Sequence, residues 1–413
     1  MNIYGIIILV ALLGNFLLEF FANRLNLKAL DPQVPEEFSG LYDQEKYARS
    51  QEYTRVRTRF GNLAATFDLL LLLVFWQVGG FPHLDGMVRG WGFGIVVTGL
   101  IFTGLLILAK GVLSLPLKIY STFVIEARFG FNRTTPATFV LDMVKGIVLG
   151  VLLGGPLLAV ILAIFQYGGP LAWLYCWLAV TVFTLVVQFI APTWIMPLFN
   201  KFTPLGDGEL REAIFKFARS VGFPLDNVFV MDGSKRSSKS NAFFTGFGKH
   251  KRIALFDTLI EGHPVAELVA ILAHEIGHYQ KKHILQGLMI SILHTGVMLF
   301  LLSLFVSKPG LFDAFQLAQP SVYCGLIFFG LLFTPMEMVL GPLMNLLSRH
   351  NEFEADRFAV DKTGDSGAMI LALKKLSVHN LSNLTPHPFY VFLHYSHPPL
   401  LARIHTMQGG SND

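Results

Sequence analysis

The sequence predicts an all-α, polytopic membrane fold with seven transmembrane helices, and three observations predict it. Charged residues are 15% of the 413-residue chain and hydrophobic residues 53%, against about 25% charged in an ordinary soluble domain. Seven long apolar runs punctuate the chain, and Lys and Arg are shared unevenly between the connections. Mean hydropathy is +0.54, which excludes a disordered chain and argues against a purely soluble one. The net charge of +4 would suit nucleic acid only as one contiguous patch. The basic residues instead form separate clusters between apolar runs, so membrane lipids are expected as partners and nucleic acid is not. The two cysteines, Cys176 and Cys324, sit inside apolar runs, which excludes a disulfide framework and a four-cysteine metal site. Any metal must be held by nitrogen and oxygen.

The runs at 3–21, 63–79, 93–115, 139–165, 171–199, 284–306 and 322–347 are each long enough to cross about 30 Å of hydrocarbon at 1.5 Å per residue. The first lacks a basic start and a small-residue cleavage site, so it reads as an anchor and not a removable signal. After the first span come Arg24, Lys28, Lys46, Arg49, Arg55, Arg57 and Arg59, and after the third Lys118, Arg128 and Arg133. The opposite connections offer only Arg89 and Lys308. Positive charge stays on the cytoplasmic side, so the amino terminus is expected outside and the carboxyl terminus inside.

Two stretches are too polar to span, 201–283 and 348–413, and both fall on the cytoplasmic side. The chain therefore divides into five spans with their loops (1–200), a cytoplasmic region (201–283), two further spans (284–347) and a cytoplasmic carboxyl-terminal region (348–413). Within 201–283, residues 227–231 read as a strand, and 241–244 with 252–256 as a small β-hairpin around a Gly-containing turn. A helix is expected to begin near Pro264, which suits a first turn, and to end at Lys281 and Lys282.

That helix carries the chemistry. His274, Glu275 and His278 form a His-Glu-x-x-His pattern, which sets two histidines one turn apart on one face where they can share a zinc ion. Glu275 is near enough to take a proton from an attacking water without being a ligand. The structural alternative is a helix end that carries two histidines by accident.

A catalytic zinc site takes three protein ligands and leaves one position open. A third histidine six residues past the second, with a glycine between, is ruled out because those positions are Ile284 and Lys281. His283 falls about 140° round a continuous helix from His278, which does not favour ligation. A glutamate from a later helix remains. Glu352 and Asp356 lie four apart on one face, just past the seventh span and on the same side of the membrane. Glu352 is then the third ligand and Asp356 the acceptor that orients a ligating histidine through its other nitrogen. Taken alone, such a pair would more often be a solvated helix face.

Several blocks in order resemble the integral-membrane zinc endopeptidases that include the type I CAAX prenyl proteases. They are 43–61 (DQEKYARSQEYTRVRTRFG), 121–132 (STFVIEARFGFN), 234–243 (SKRSSKSNAF), 251–259 (KRIALFDTL), the zinc helix, 351–359 (NEFEADRFA) and 396–404 (SHPPLLARI). The resemblance spans nearly the whole chain. It implies a barrel of seven helices around a large water-filled chamber, one zinc ion (Zn2+) at its cytoplasmic side, and cleavage near the carboxyl terminus of a peptide or protein substrate. A lipidated, CAAX-type substrate is the first expectation, and quality control of membrane proteins without prenyl specificity the alternative. The resemblance further implies that Asn241, Ala242 and Phe243 form the edge on which a substrate peptide is laid. It also gives His397 and Arg403 the task of stabilising charge on the scissile carbonyl. Without it, Asn241 reads as a turn residue, His397 as a loop histidine and Arg403 as a surface charge. Compact loops and no endoplasmic-reticulum retention ending lean toward a bacterial inner membrane, with the endoplasmic-reticulum membrane as the alternative.

Asp68, Lys110, Asp142, His294 and Glu337 fall within the apolar runs and are expected to face the interior, a cavity or the interfaces. A transporter would also hold such groups, and a non-proteolytic zinc scaffold would hold the ion. The zinc pair followed by a matching glutamate separates the protease from the transporter, which does not require it.

Overall fold

The computed structural model describes residues 1–247 and 250–409. The hairpin tip at 248–249 and residues 410–413 lie outside the described residues, as do the side chains of residues 245–247 and 250–252, which include the head of one signature. Six helical segments are long and apolar enough to cross a membrane: Ile3–Lys28, Gln44–Gln77, Ile95–Glu126, Pro136–Tyr167, Gly169–Leu198 and His283–Phe305. The pair Val322–Leu332 and Thr334–Thr363, bent by 56°, brings the number to seven when the two helices are counted as one broken span.

Helix α1 (Ile3–Lys28) starts at Asn2, whose side chain accepts from the Gly5 amide. Helix α2 (Gln44–Gln77) starts at Asp43, which accepts from the Lys46 amide at 2.7 Å, an N-cap bond that satisfies an orphan donor. The second span is therefore only the apolar half of a longer helix. Its polar half, rich in Glu, Lys, Arg and Gln, consists largely of good helix formers and continues past the apolar run. Then follow α3 (Gly80–Arg89), α4 (Ile95–Tyr120), α5 (Pro136–Leu149) and α6 (Gly155–Tyr167), the last two joined by a π-helical stretch, and α7 (Ala172–Ile190).

Only 6–22% of the residues in the apolar windows of the six single-helix spans are buried. Helices in a solid bundle would hide more, so these meet along narrow seams, as the staves of a hollow barrel do. On α2 and α4, Asp68 pairs with Lys110, and Lys110 also donates to Ser114 Oγ at 3.0 Å. Asp68 and Lys110 are each about half exposed. An ion pair that open is costly against lipid tails, which favours its facing the inside of the barrel.

The polar segment 201–283 builds a four-stranded sheet from β1 (Phe202–Pro204), β2 (Asn227–Met231), β3 (Ala242–Phe247) and β4 (His250–Phe256), ordered β1-β2-β4-β3. The expected hairpin is β3 and β4, antiparallel with Ala242 opposite Leu255. Strand β2 covers the expected residues and lies parallel to β4. Strand β1, three residues long, is too short to announce itself by periodicity.

The remaining helices are α8 (Glu209–Ser220), α9 (Asp257–Gly262), α10 (Val265–Gln280), α11 (His283–Phe305), α12 (Pro309–Asp313), α13 (Val322–Leu332), α14 (Thr334–Thr363), α15 (Ser366–His379), α16 (Pro388–His394) and α17 (Leu400–Met407). The break between α13 and α14 falls beside Pro335, which lacks the amide proton a continuous helix needs there. One core gathers Trp76, Phe81, Phe312, Phe315 and Phe328 at the end of the barrel away from the sheet. There the rings of Phe315 and Phe328 stack 3.8 Å apart.

A second core surrounds α10. Its Leu268, Leu272 and Ile276 meet Ile253 and Leu255 of β4, Ile214 and Phe217 of α8, Ala359 of α14 and Ala372 of α15. Burying each such side chain contributes about 1.5–3 kcal/mol. Helix α14 comes closest at Gly277, where an added Cβ would lie 3.2 Å from both Cα and O of Ala355. A glycine between Glu275 and His278 thus lets the two backbones meet. Ala355 sits between Glu352 and Asp356, so this contact sets both carboxylates against the histidine face.

Candidate metal centre

His274 and His278, one turn apart on α10, turn their Nε2 atoms toward each other at 3.2 Å. Glu352 of α14 closes the triangle, with Oε2 3.4 Å from His274 Nε2 and Oε1 3.2 Å from His278 Nε2. Three ligands bound tetrahedrally at 2.0–2.1 Å stand about 3.3 Å apart, so the spacing fits one zinc-sized ion. Among the described residues this is the only group of three or more His, Cys, Asp or Glu with that convergence.

The electrostatics also favour a cation. His274 and Glu352 are buried, and Asp356 Oδ1 lies 2.8 Å from His274 Nδ1. Burial opposes a positive charge on His274, yet the carboxylates of Asp356 and Glu352 on its two nitrogens carry its pKa up to about 9. Burial pushes the Glu275 carboxyl above its ordinary value, and the neighbouring imidazoles pull the other way. A buried pocket that holds a proton on His274 this firmly can exchange it for a metal cation, and two imidazole nitrogens with a carboxylate then match the hard-to-borderline donor set of zinc.

Arg403 of α17 is buried and forks onto Asp356, with Nε donating to Oδ2 at 2.7 Å and Nη2 to Oδ1 at 2.6 Å. Its remaining Nη1 faces Glu352 Oε2 at 3.6 Å. Asp356 therefore serves His274 and Arg403 together. The sequence alone gave no sign of that second partner, 47 residues further along the chain. His397, just before α17, brings Nε2 to 3.3 Å from Glu352 Oε1, with a largely exposed side chain. Both residues therefore reach the carboxylate of the candidate third ligand, Arg403 from within the core and His397 from the open side.

Asn241 is exposed and its side chain accepts from the Ala242 amide at 2.9 Å. The Asn241 carbonyl accepts from the Phe256 amide, so the alternation of an antiparallel pair turns the amide and carbonyl of Ala242 and Phe244 away from β4. Phe243 stands opposite Ala254. Strand β3 lies at the sheet's edge and packs on α10. No strand pairs with its outer side among the described residues.

His283 is not part of the triangle. It lies beside His278 on the far side of that ring, Nδ1 to Nδ1 at 3.1 Å, and reaches Glu354 Oε2 at 3.0 Å with Nε2.

The chain matches two family models: "CAAX prenyl protease N-terminal, five membrane helices" over residues 23–201 and "Peptidase family M48" over residues 204–410. It is 37% identical over 416 residues to CAAX prenyl protease 1 of Saccharomyces cerevisiae, covering 93% of this chain and 90% of that one. A homologue of that protein from Arabidopsis thaliana is 39% identical over 408 residues, covering 95% of each. The crystal structure of Ste24p from S. mikatae superposes with a TM-score of 0.93 at 35% identity, over 98% of this chain and 99% of that one.

Proposed function

This chain belongs to peptidase family M48 as a membrane metalloprotease of the CAAX prenyl protease kind, and on that premise we propose that it cleaves near the carboxyl terminus of prenylated CAAX-type substrates with zinc held by His274, His278 and Glu352. The observation that carries the reading is the convergence of the three donor atoms at 3.2–3.4 Å. Zinc bound there would supply Lewis acidity toward a substrate carbonyl. Glu275 takes a proton from the attacking water, and the new bond forms between that water's oxygen and the scissile carbonyl carbon. When the C–N bond breaks, Glu275 returns the proton to the leaving amine. His397 Nε2 and Arg403 Nη1 donate toward the oxygen that gains charge at the tetrahedral stage. Asp356 holds His274 and Arg403 in place for this. The outer edge of β3 receives the substrate as an added strand, with the outward amides and carbonyls of Ala242 and Phe244 fixing register while Asn241 and Phe243, bonded inward to β4, hold that edge in place and leave side-chain preference loose. The division of the chain near residue 201 into membrane and protease parts is supported by where the two family models meet.

The experiment is mass spectrometry of farnesylated and unmodified CAAX peptides incubated with the protein. The farnesylated peptide is expected to be cut near its end at a higher kcat/KM. Equal cutting of both would leave the protease and remove the prenyl preference.

Identity to proteins of yeast and Arabidopsis favours the endoplasmic-reticulum membrane over the bacterial one to which sequence alone leaned. The polar region is placed in the cytoplasm and the amino terminus outside by the Lys and Arg asymmetry. Cysteine in place of Met87, 43% exposed on α3, is then expected to react with an impermeant reagent from the lumenal or external side. Cysteine in place of Glu45 is expected to react only from the cytoplasm. The opposite pattern would put the metal centre across the membrane.

A further inference from the structure

Helix α10 ends at Gln280 and α11 begins at His283, and between them Lys282 sits at φ 62°, ψ 24°. A lysine there is strained, because side chains crowd the following carbonyl in the left-handed region. The turn lifts His283 off the helical spiral that would have carried it about 140° away from His278. Instead the two rings stand 5.2 Å apart, nearly perpendicular. The His283 side chain is buried at 7% exposure, whereas Glu354, its other partner, is 39% exposed.

Proton placement follows from these contacts. His278 directs Nε2 into the triangle, and a nitrogen that gives its lone pair to a metal cannot carry the ring's hydrogen. The hydrogen of His278 is then on Nδ1 and donates to His283 Nδ1, which must be bare. His283 consequently carries its own hydrogen on Nε2 and donates it to the Glu354 carboxylate. A single arrangement satisfies both bonds, and it leaves His278 with the tautomer that metal ligation needs.

We propose that His283 and Glu354 are positioning residues that lock the orientation and tautomer of His278, doing for the second histidine what Asp356 does for His274. The inference rests on the reading of His278 as a zinc ligand. Each candidate histidine ligand then has a carboxylate behind it, directly for His274 and through an intervening imidazole for His278. Such outer partners commonly govern metal affinity by about 10- to 100-fold. The strained Lys282 turn has a purpose on this account: it spends backbone energy to bring His283 to the one place where it can accept from His278 Nδ1.

The test uses the full-length protein in detergent, stripped by chelation and titrated with zinc alone against a chromophoric chelator. His283→Ala is expected to bind zinc about 10- to 100-fold more weakly. Glu354→Ala, at a more exposed position, is expected to weaken binding in the same direction by a smaller factor. His283→Asn is expected to recover most of the loss, because its amide oxygen can accept where Nδ1 did. A purely structural role at the α10–α11 junction would lower the melting temperature and leave zinc affinity per folded molecule unchanged. Wild-type affinity in either alanine variant overturns the proposal, and Glu354→Ala decides alone if His283→Ala does not fold. His278→Ala is the control: wild-type affinity there overturns the proposal through the ligand reading itself.

Discussion

Glu275→Gln is expected to lose peptide hydrolysis by about 1,000-fold or more while keeping its zinc. General acid–base catalysis contributes about 100- to 10,000-fold, and in this site one group accepts the proton and returns it, so removing it affects both bond making and bond breaking. Glutamine has the shape of glutamate and none of its basicity, which leaves the packing of α10 undisturbed. The three donor atoms belong to His274, His278 and Glu352, so the metal has no reason to leave. Single-turnover cleavage of a farnesylated peptide, with zinc measured on the same sample, checks both halves. Full activity in the variant would remove Glu275 from the chemistry, and loss of zinc would make it a ligand.

Asp356→Ala is expected to lower both thermal stability and zinc affinity, since it strands two partners at once. The Arg403 guanidinium is buried and forked onto Asp356 at 2.6 and 2.7 Å. Removing one member of such a pair costs about 3–5 kcal/mol, because the other charge stays buried without compensation. His274 simultaneously loses its 2.8 Å contact, and zinc affinity is expected to fall about 10- to 100-fold. Arg403→Lys separates the effects. A lysine keeps the charge but cannot form the two parallel bonds, so stability is expected to drop while His274 retains Asp356 and zinc is held. Turnover in the folded fraction of Arg403→Lys then reports whether Nη1 also acts on the transition state. Differential scanning fluorimetry, zinc titration and single-turnover rates on both variants read the three quantities. Unchanged stability in Asp356→Ala would show that α17 is held by other means.

What the sequence made readable was whatever repeats at short range. Apolar runs declare spans because length alone matters in hydrocarbon, so six of the seven fall on single long helices and the seventh on the bent pair α13 and α14. Their polar continuations were not legible, and α2 begins 19 residues before the apolar run that announced it, since charged helix formers resemble a loop when only hydropathy is read. The pair His274 and His278 follows from one helical turn, and so does the pair Glu352 and Asp356. Gly277 looked like an ordinary member of the motif, yet it sets the distance between those pairs through its closeness to Ala355. The grip of Arg403 on Asp356 and the fold-back of His283 depend on how three helices meet and on the left-handed turn at Lys282. No spacing rule encodes either. The mixed order of the sheet, with β2 beside β4, likewise comes from packing on α10 and α8 and not from the strands' own residues.

The central claim is that His274, His278 and Glu352 form one zinc site. Elemental analysis of zinc in purified wild-type protein and in Glu352→Ala tests it most directly, with melting temperature as the check on folding. About one zinc per chain is expected in the wild type, and little or none in folded Glu352→Ala after dialysis, because two imidazoles alone do not complete a three-ligand site. A wild type without zinc, or a Glu352→Ala variant that keeps a full equivalent, would contradict the account.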